Sequence, residues 1–184
     1  MGRLIYTGIT SLDGYIADES GSFDWSMPDE EVHRFVNGLD RNMRTFLLGR
    51  QLYEVMAYWD SVPPNEPEAI QEYARIWQAA DKVVYSRSLT ELDAPRTRLE
   101  HNFDPDAVRT LVEASDGDVS VGGAALAAQA LQAGLVDEVQ QLLSPVIIGG
   151  GKRFLPAGLR LDLELVEEQR FGNGVVFLHY RVQK

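Results

Sequence analysis

Repeatedly along this chain a short β-rich run ends on glycine or a small polar pair, with helical patterns between the runs. Thr45 to Leu48 runs into Gly49-Arg50, Lys82 to Tyr85 into Ser86-Arg87, and Val119 to Val121 into Gly122-Gly123. Strands that alternate with helices pair in parallel, because each return crossing is long enough to hold a helix. The sheet is then covered on both faces, and ligands bind beyond the carboxyl ends of its strands. The chain is therefore predicted to be α/β, with its site residues at those turns.

The remaining segments fit this plan. Leu4 to Thr10 reads as the first strand, followed by the turn-prone Asp13-Gly14 and a Gly/Ser/Asp-rich loop to Ser26. Ser26 with Asp29 makes a capping-box-like start, Pro28 suits a first turn, and Val32, Phe35, Val36, Leu39 and Met43 recur at helical spacing. A helix over 66–80 places Ile70, Tyr73, Ala74 and Trp77 on one face, and Asp104-Pro105 caps another through about Ala114. The helix from Ala124 to Ala133 stops at Gly134, and Glu138 to Leu143 is a strand. Leu163 to Gln169 and Val175 to Val182 flank Gly172-Asn173-Gly174, which predicts an antiparallel hairpin. Pro63-Pro64 with Pro67 reads as a stiff surface loop, so residues 1–184 are expected to form one domain.

Composition narrows the partners. Seventeen Lys and Arg against 28 Asp and Glu give a net charge of -11, a field that repels polyanions, so no nucleic acid is expected. With no Cys there is no disulfide or thiolate chemistry, which points to the cytoplasm. Residues 1–20 do not read as a secretory signal, and no run approaches the roughly 18 apolar residues of a membrane span. His33, His101 and His179 lack HxH or HExxH spacing, so no metal site is expected.

Two nucleotide motifs fail. Gly122-Gly123-Ala124-Ala125-Leu126 lacks GxGxxG spacing, and Gly149 to Lys152 is followed by Arg153 where a Walker loop needs Ser or Thr. The latter fits either a tight turn or a loop beside a cofactor or substrate. Helix starts at Gly49 and at Gly122-Gly123 offer unpaired N–H groups to a phosphate, although packing alone also explains such glycines. Arg50 and Ser86-Arg87, at neighbouring strand ends, strengthen the phosphate reading.

The segments TSLDGYIA (Thr10 to Ala17), LLGRQLYE (Leu47 to Glu54), VYSRSL (Val84 to Leu89), VGGAAL (Val121 to Leu126) and GLVDEV...SPVIIGGGKRF (Gly134 to Phe154) carry a resemblance. Together they resemble the dihydrofolate reductase-like family and, within it, the C-terminal reductase domain of riboflavin biosynthesis (RibD), over about residues 3–182. The resemblance implies a three-layer α/β/α dihydrofolate reductase-like fold with a mostly parallel sheet and a C-terminal hairpin. It also implies NADPH as cofactor and hydride transfer to a heterocyclic or ribosylamino-pyrimidine substrate, as in 5-amino-6-(5-phosphoribosylamino)uracil reduction. Dihydrofolate reduction and a non-catalytic nucleotide-binding module are the alternatives. In similar proteins the positions of Ile9, Thr10 and Ile16 border the nicotinamide, and those of Gly49, Arg50, Ser86 and Arg87 bind the adenosine-side phosphates. Gly122, Gly123, Ala124 and Leu126 then take the pyrophosphate. Similar reductases pair near their C-terminal strands, which implies a homodimer, and the apolar run Val175 to Leu178 fits either a strand buried on both faces or one covered by a partner.

Hydride transfer is largely positioning, but a proton must still reach the substrate. Asp13 is one candidate acid and also an ordinary Asp-Gly turn former. Glu31, four residues before Phe35, matches the carboxylate-to-aromatic spacing of dihydrofolate reductases and is also a residue favoured by the helix dipole. Asp29 and Glu30 compete with it. The stretch MPDEEVHRF departs from the usual folate-site pattern, which argues against a pterin substrate.

Overall fold

The computed structural model describes residues 2–184. In chain order its elements are β1 (Leu4–Ser11), β2 (Tyr15–Ala17), α1 (Glu30–Asp40), β3 (Met43–Gly49), α2 (Arg50–Met56), α3 (Glu68–Ala79) and β4 (Asp81–Tyr85). There follow β5 (Thr97–Glu100), α4 (Pro105–Ala114), β6 (Asp118–Gly122), α5 (Ala124–Gln132), β7 (Glu138–Ser144), β8 (Lys152–Arg153), β9 (Leu163–Arg170) and β10 (Val176–Val182). Single 3-10 turns lie at Asp24–Ser26 and Ala57–Asp60.

One eight-stranded sheet runs in the order β5-β4-β3-β6-β1-β7-β10-β9. Pairing is parallel from β5 to β7, and β10 and β9 close the sheet as an antiparallel hairpin. β1 is central, with Leu4 against Val119 and Ile5 against Glu138. This is the three-layer α/β/α architecture that the alternation requires.

Each face has its own core. On one, Val108 and Val112 of α4 and Leu126, Ala127 and Ala130 of α5 pack with Leu4, Tyr6, Leu47 and Val121. On the other, Tyr73 and Trp77 of α3 meet Ile5, Phe46, Leu48 and Val84, while Val32 of α1 meets Leu142 and Phe177. The helical face read for α3 is thus the buried one. Trp77 is fully buried and donates Nε1–H to Asp60 at 2.8 Å, so truncating it to Ala removes about 3–5 kcal/mol.

Two boundaries differ from expectation. Asp29, not Ser26, caps α1, its carboxylate accepting the Val32 N–H at 2.9 Å. Ser26 closes the preceding 3-10 turn, where its hydroxyl donates to the Phe23 carbonyl at 2.7 Å. Met43 belongs to β3, because α1 ends at Asp40 and its register with Leu39 is fortuitous. The short sheet of β2 and β8 and the edge strand β5 add to the predicted elements. No helix among the described residues is long and apolar enough to cross a membrane.

The amino ends of the parallel strands carry a network of charge. Arg3 pairs with Asp118 at 2.6 Å and with Glu138 at 2.8 Å, and the buried Glu138 also meets His179 Nε2 at 2.9 Å. Arg44 with Asp116, Arg96 with Asp81 and Lys184 with Asp137 continue the pattern. At the sheet edge every residue of β9 is exposed.

Candidate functional site

A cleft of about 2150 Å³ crosses the carboxyl ends of β1, β3, β4 and β6. A single small ligand occupies roughly 300–1,000 Å³, so this one has room for two. Its floor is close-packed. The rings of Tyr6 and Phe154 stack at 4.2 Å, the Tyr6 hydroxyl donates to the Phe154 carbonyl at 2.9 Å, and a Cβ on Gly8 would meet the Phe154 ring at 2.5 Å. Burial pushes the Tyr6 hydroxyl well above its ordinary range, so it remains protonated.

The two glycine turns come together here. Gly123 has φ 89, a backbone that side chains rarely adopt, and a Cβ on it would lie 3.5 Å from the Gly49 nitrogen. This small cradle joins the starts of α2 and α5. Arg50, Ser86, Arg87, Ala124 and Leu126 line the cleft beside it, and Ile9 and Ile16 line it from β1 and β2. Arg87 and Lys152 make no ion pair with a carboxylate among the described residues. Arg50 has only its exposed neighbour Glu54, at 3.4 Å, and Lys152 Nζ donates to Gln51 Oε1 at 3.2 Å.

Four predicted residues lie outside the cleft lining. Thr10 is fully buried and its hydroxyl accepts from Gln141 Nε2 at 2.9 Å, which holds β1 against β7. Gly122 is a packing glycine, since a Cβ there would meet the Leu52 side chain at 2.5 Å. Asp13 accepts from the N–H groups of Gly149 at 2.8 Å and Ile148 at 3.2 Å. The Ser11 hydroxyl and those amides hold its carboxyl below the usual range, so it is ionised at neutral pH. Glu31 accepts the Gly172 N–H at 3.0 Å and so ties α1 to the β9–β10 turn.

Other residues that line the cleft had no site role assigned from the sequence, apart from the Gly149 to Lys152 segment, which was read as a tight turn or a loop beside a ligand. Asp18 and Glu19 are its carboxyl groups, with Asp18 held low by the Ser20 hydroxyl and nearby amides. Gly151 and Lys152 also line it, so the Gly149 to Lys152 segment is both a tight turn and a cleft wall. An aromatic side is formed by Phe23, His33, Tyr58 and Trp59. The Trp59 ring is held by Tyr73 at 4.6 Å, Tyr58 at 5.2 Å and His33 at 5.8 Å. Burial lowers the His33 pKa, with Asn37 and Glu72 opposing, so the imidazole is neutral at pH 7. The adjacent Tyr58-Trp59 pair was the one available signal, but adjacency along a chain does not say which face a ring occupies.

Comparisons with known proteins agree with this fold. A model of the RibD C-terminal domain matches residues 3–177. The chain is 31% identical over 183 residues to the uncharacterised protein YyaP of Bacillus subtilis strain 168, covering 97% of this chain and 94% of that protein. Its fold is similar to a putative riboflavin biosynthesis protein from Shewanella sp. PV-4, with TM-score 0.78, 21% identity and 99% of each chain covered. It is also similar to dihydrofolate reductase from Enterococcus faecalis complexed with NADP(H), with TM-score 0.64, 15% identity, and 100% of this chain and 98% of that one covered.

Proposed function

The chain belongs to the RibD C-terminal domain family, and from that premise we propose that it is an NADPH-dependent reductase of a heterocyclic substrate. The observation that carries this reading is a cleft with room for two ligands whose free cations, Arg87 and Lys152, lie with the Gly49–Gly123 cradle. NADPH fits these groups. The cradle's backbone N–H groups would hold the pyrophosphate, and Arg87, with Arg50 and Ser86, would hold the adenosine-side phosphates. When bound, the cofactor supplies the hydride.

The chain's own part is to bind, orient and exclude water. Ile9 and Ile16 flank the nicotinamide end, while Thr10 keeps β1 in register beneath them. Ala124 and Leu126 hold the start of α5 against the pyrophosphate, with Gly122 giving Leu52 its space. Asp13 holds the β7–β8 loop over the cleft, and Glu31 fixes the start of α1. The substrate proton then comes from a lining group or from water.

Two measurements test this reading. NADPH is expected to quench tryptophan fluorescence with a micromolar Kd, and absorbance at 340 nm to fall when ribosylaminopyrimidine, pterin and dihydrofolate substrates are screened. Absence of NADPH binding overturns the proposal. A second reading, a nucleotide-binding module without turnover, is favoured by Asp13 and Glu31 lying outside the lining, and NADPH binding with no turnover would select it. A homodimer is part of the proposal, although the run Val175 to Leu178 is taken up within the sheet, with Val175 and Phe177 in the core, because exposed β9 presents Leu163, Leu165 and Val166 to a second copy. Light scattering at high micromolar concentration that shows only monomer excludes it.

A further inference from the structure

We infer that the part of the cleft not taken by the cofactor binds an uncharged planar heterocycle carrying no phosphate, an inference that rests on the NADPH reading above. The helix α2 runs along the cleft, which its residues Arg50, Gln51, Leu52, Val55 and Met56 line. It starts at Gly49-Arg50, beside the glycine cradle, and ends at Val55-Met56, which lead into Tyr58-Trp59.

All the Lys and Arg residues that line the cleft belong to the side where α2 starts. Arg50 opens α2, Lys152 bonds to Gln51 in its first turn, and Arg87 follows β4. The last residue of β4, Tyr85, packs with Phe103 against the α4 and α5 core. Trp59 and Met56 pack against the opposite core, on the α1 and α3 face.

On this second side, among the described residues, no Lys or Arg lines the cleft. A phosphate monoester carries about two negative charges, and in a protein of net charge -11 it would enter this side without a cation to receive it. The exposed apolar residues point the same way. Phe23 is 38%, Met27 70%, Val55 47% and Tyr58 47% exposed, and all four face this one cavity. A flat ring covers them and stacks on Trp59, which its aromatic neighbours hold in place before any ligand arrives.

The test uses a matched pair, 5-amino-6-(ribosylamino)uracil and its 5′-phosphate, titrated into the full chain saturated with NADPH. The unphosphorylated compound is expected to bind at least tenfold more tightly, with little dependence on salt. Trp59→Ala is expected to weaken it at least tenfold while leaving NADPH affinity within about twofold. Val55→Lys, at an exposed position, is expected to shift the preference toward the phosphate by at least fivefold. Tighter binding of the phosphate to the unaltered protein overturns the inference, as does failure of both compounds to bind while NADPH binds. Failure of NADPH itself to bind would instead remove the reading beneath it.

Discussion

At the amino ends of the parallel strands Arg3 meets Asp118 and Glu138, and Glu138 meets His179, whereas over the carboxyl ends Arg87 and Lys152 meet no carboxylate among the described residues. Both ends belong to the same strands. The amino end spends its charges within the fold, where a buried member such as Glu138 becomes costly to remove. The carboxyl end, among the described residues, leaves Arg87 and Lys152 without a carboxylate and gives Arg50 only its exposed neighbour Glu54, so a ligand can take up these cations. Stability and binding are thereby assigned to opposite rims of one sheet, and substitutions should separate them.

The largest expected effect is at the amino rim. Glu138→Ala leaves His179 half-buried beside an empty site and frees Arg3, and it is expected to lower stability by about 3 kcal/mol, a fall in Tm of roughly 6–12 °C. NADPH affinity measured on the folded variant should be unchanged. A loss of cofactor affinity with intact stability would erase the distinction between the rims.

Asp40 sharpens the comparison through pH. Burial pushes its carboxyl up from 3.8 to about 6, against the pull of the Tyr73 hydroxyl, which donates to it at 2.8 Å. The folded state therefore holds this proton more tightly than the unfolded state. Its contribution is most favourable below about pH 4, declines as pH rises from about 4 to 6, and stays level above that. Asp40→Asn keeps an acceptor for Tyr73 and should stabilise the protein at pH 7 by about 1–3 kcal/mol, with little effect near pH 4. Urea unfolding at the two pH values checks this, and an equal change at both would refute it.

At the carboxyl rim the effects turn from stability to affinity. Arg87→Ala is expected to weaken NADPH at least tenfold, about 1.4 kcal/mol, to leave NADH nearly untouched and to flatten the salt dependence of NADPH binding. Calorimetry that finds equal losses for both cofactors would place Arg87 away from the 2′-phosphate. The smallest effect is expected at Glu31. With its carboxylate bonded to Gly172, Glu31→Gln should change turnover by less than about threefold. A fall of 100-fold in NADPH oxidation would instead make it the proton donor.

What the sequence shows of this fold follows from how local each signal is. The buried face of α3, the Asp104 cap of α4 and the hairpin around Asn173 depend on residues within a turn or two of each other, and they stand where expected. Ser26 was expected to start α1 with Asp29 as its box partner and Pro28 in the first turn, but the helix begins one residue after Asp29, which becomes the cap and leaves Pro28 just outside it. β5 and β8 are short and polar and β2 is only three residues long, so only pairing partners distant in the chain define them. In the site, strand-end glycines and arginines were legible because the α/β plan itself positions them. The aromatic side was not, because Phe23, His33 and Trp59 come from a loop, a helix and a 3-10 segment that only tertiary packing brings together.

The central position of β1 has a consequence for how the protein is made. Arg3 and Asp118 are 115 residues apart, and β1 pairs with β7 from Ile5 against Glu138. At roughly 5–20 residues per second, a ribosome needs on the order of 7–30 s after synthesising β1 to supply β7, and longer before that strand clears the exit tunnel. During this interval the central strand β1 has neither neighbour until β6 is made, and then only that one until β7 follows. Slow, late folding is the expected result, because long-range parallel pairing gives little return until the loop is closed. A nascent chain arrested before residue 138 should remain protease-sensitive and bound by chaperones, and yield of the folded protein should improve at low temperature, where synthesis slows and exposed β1 aggregates less.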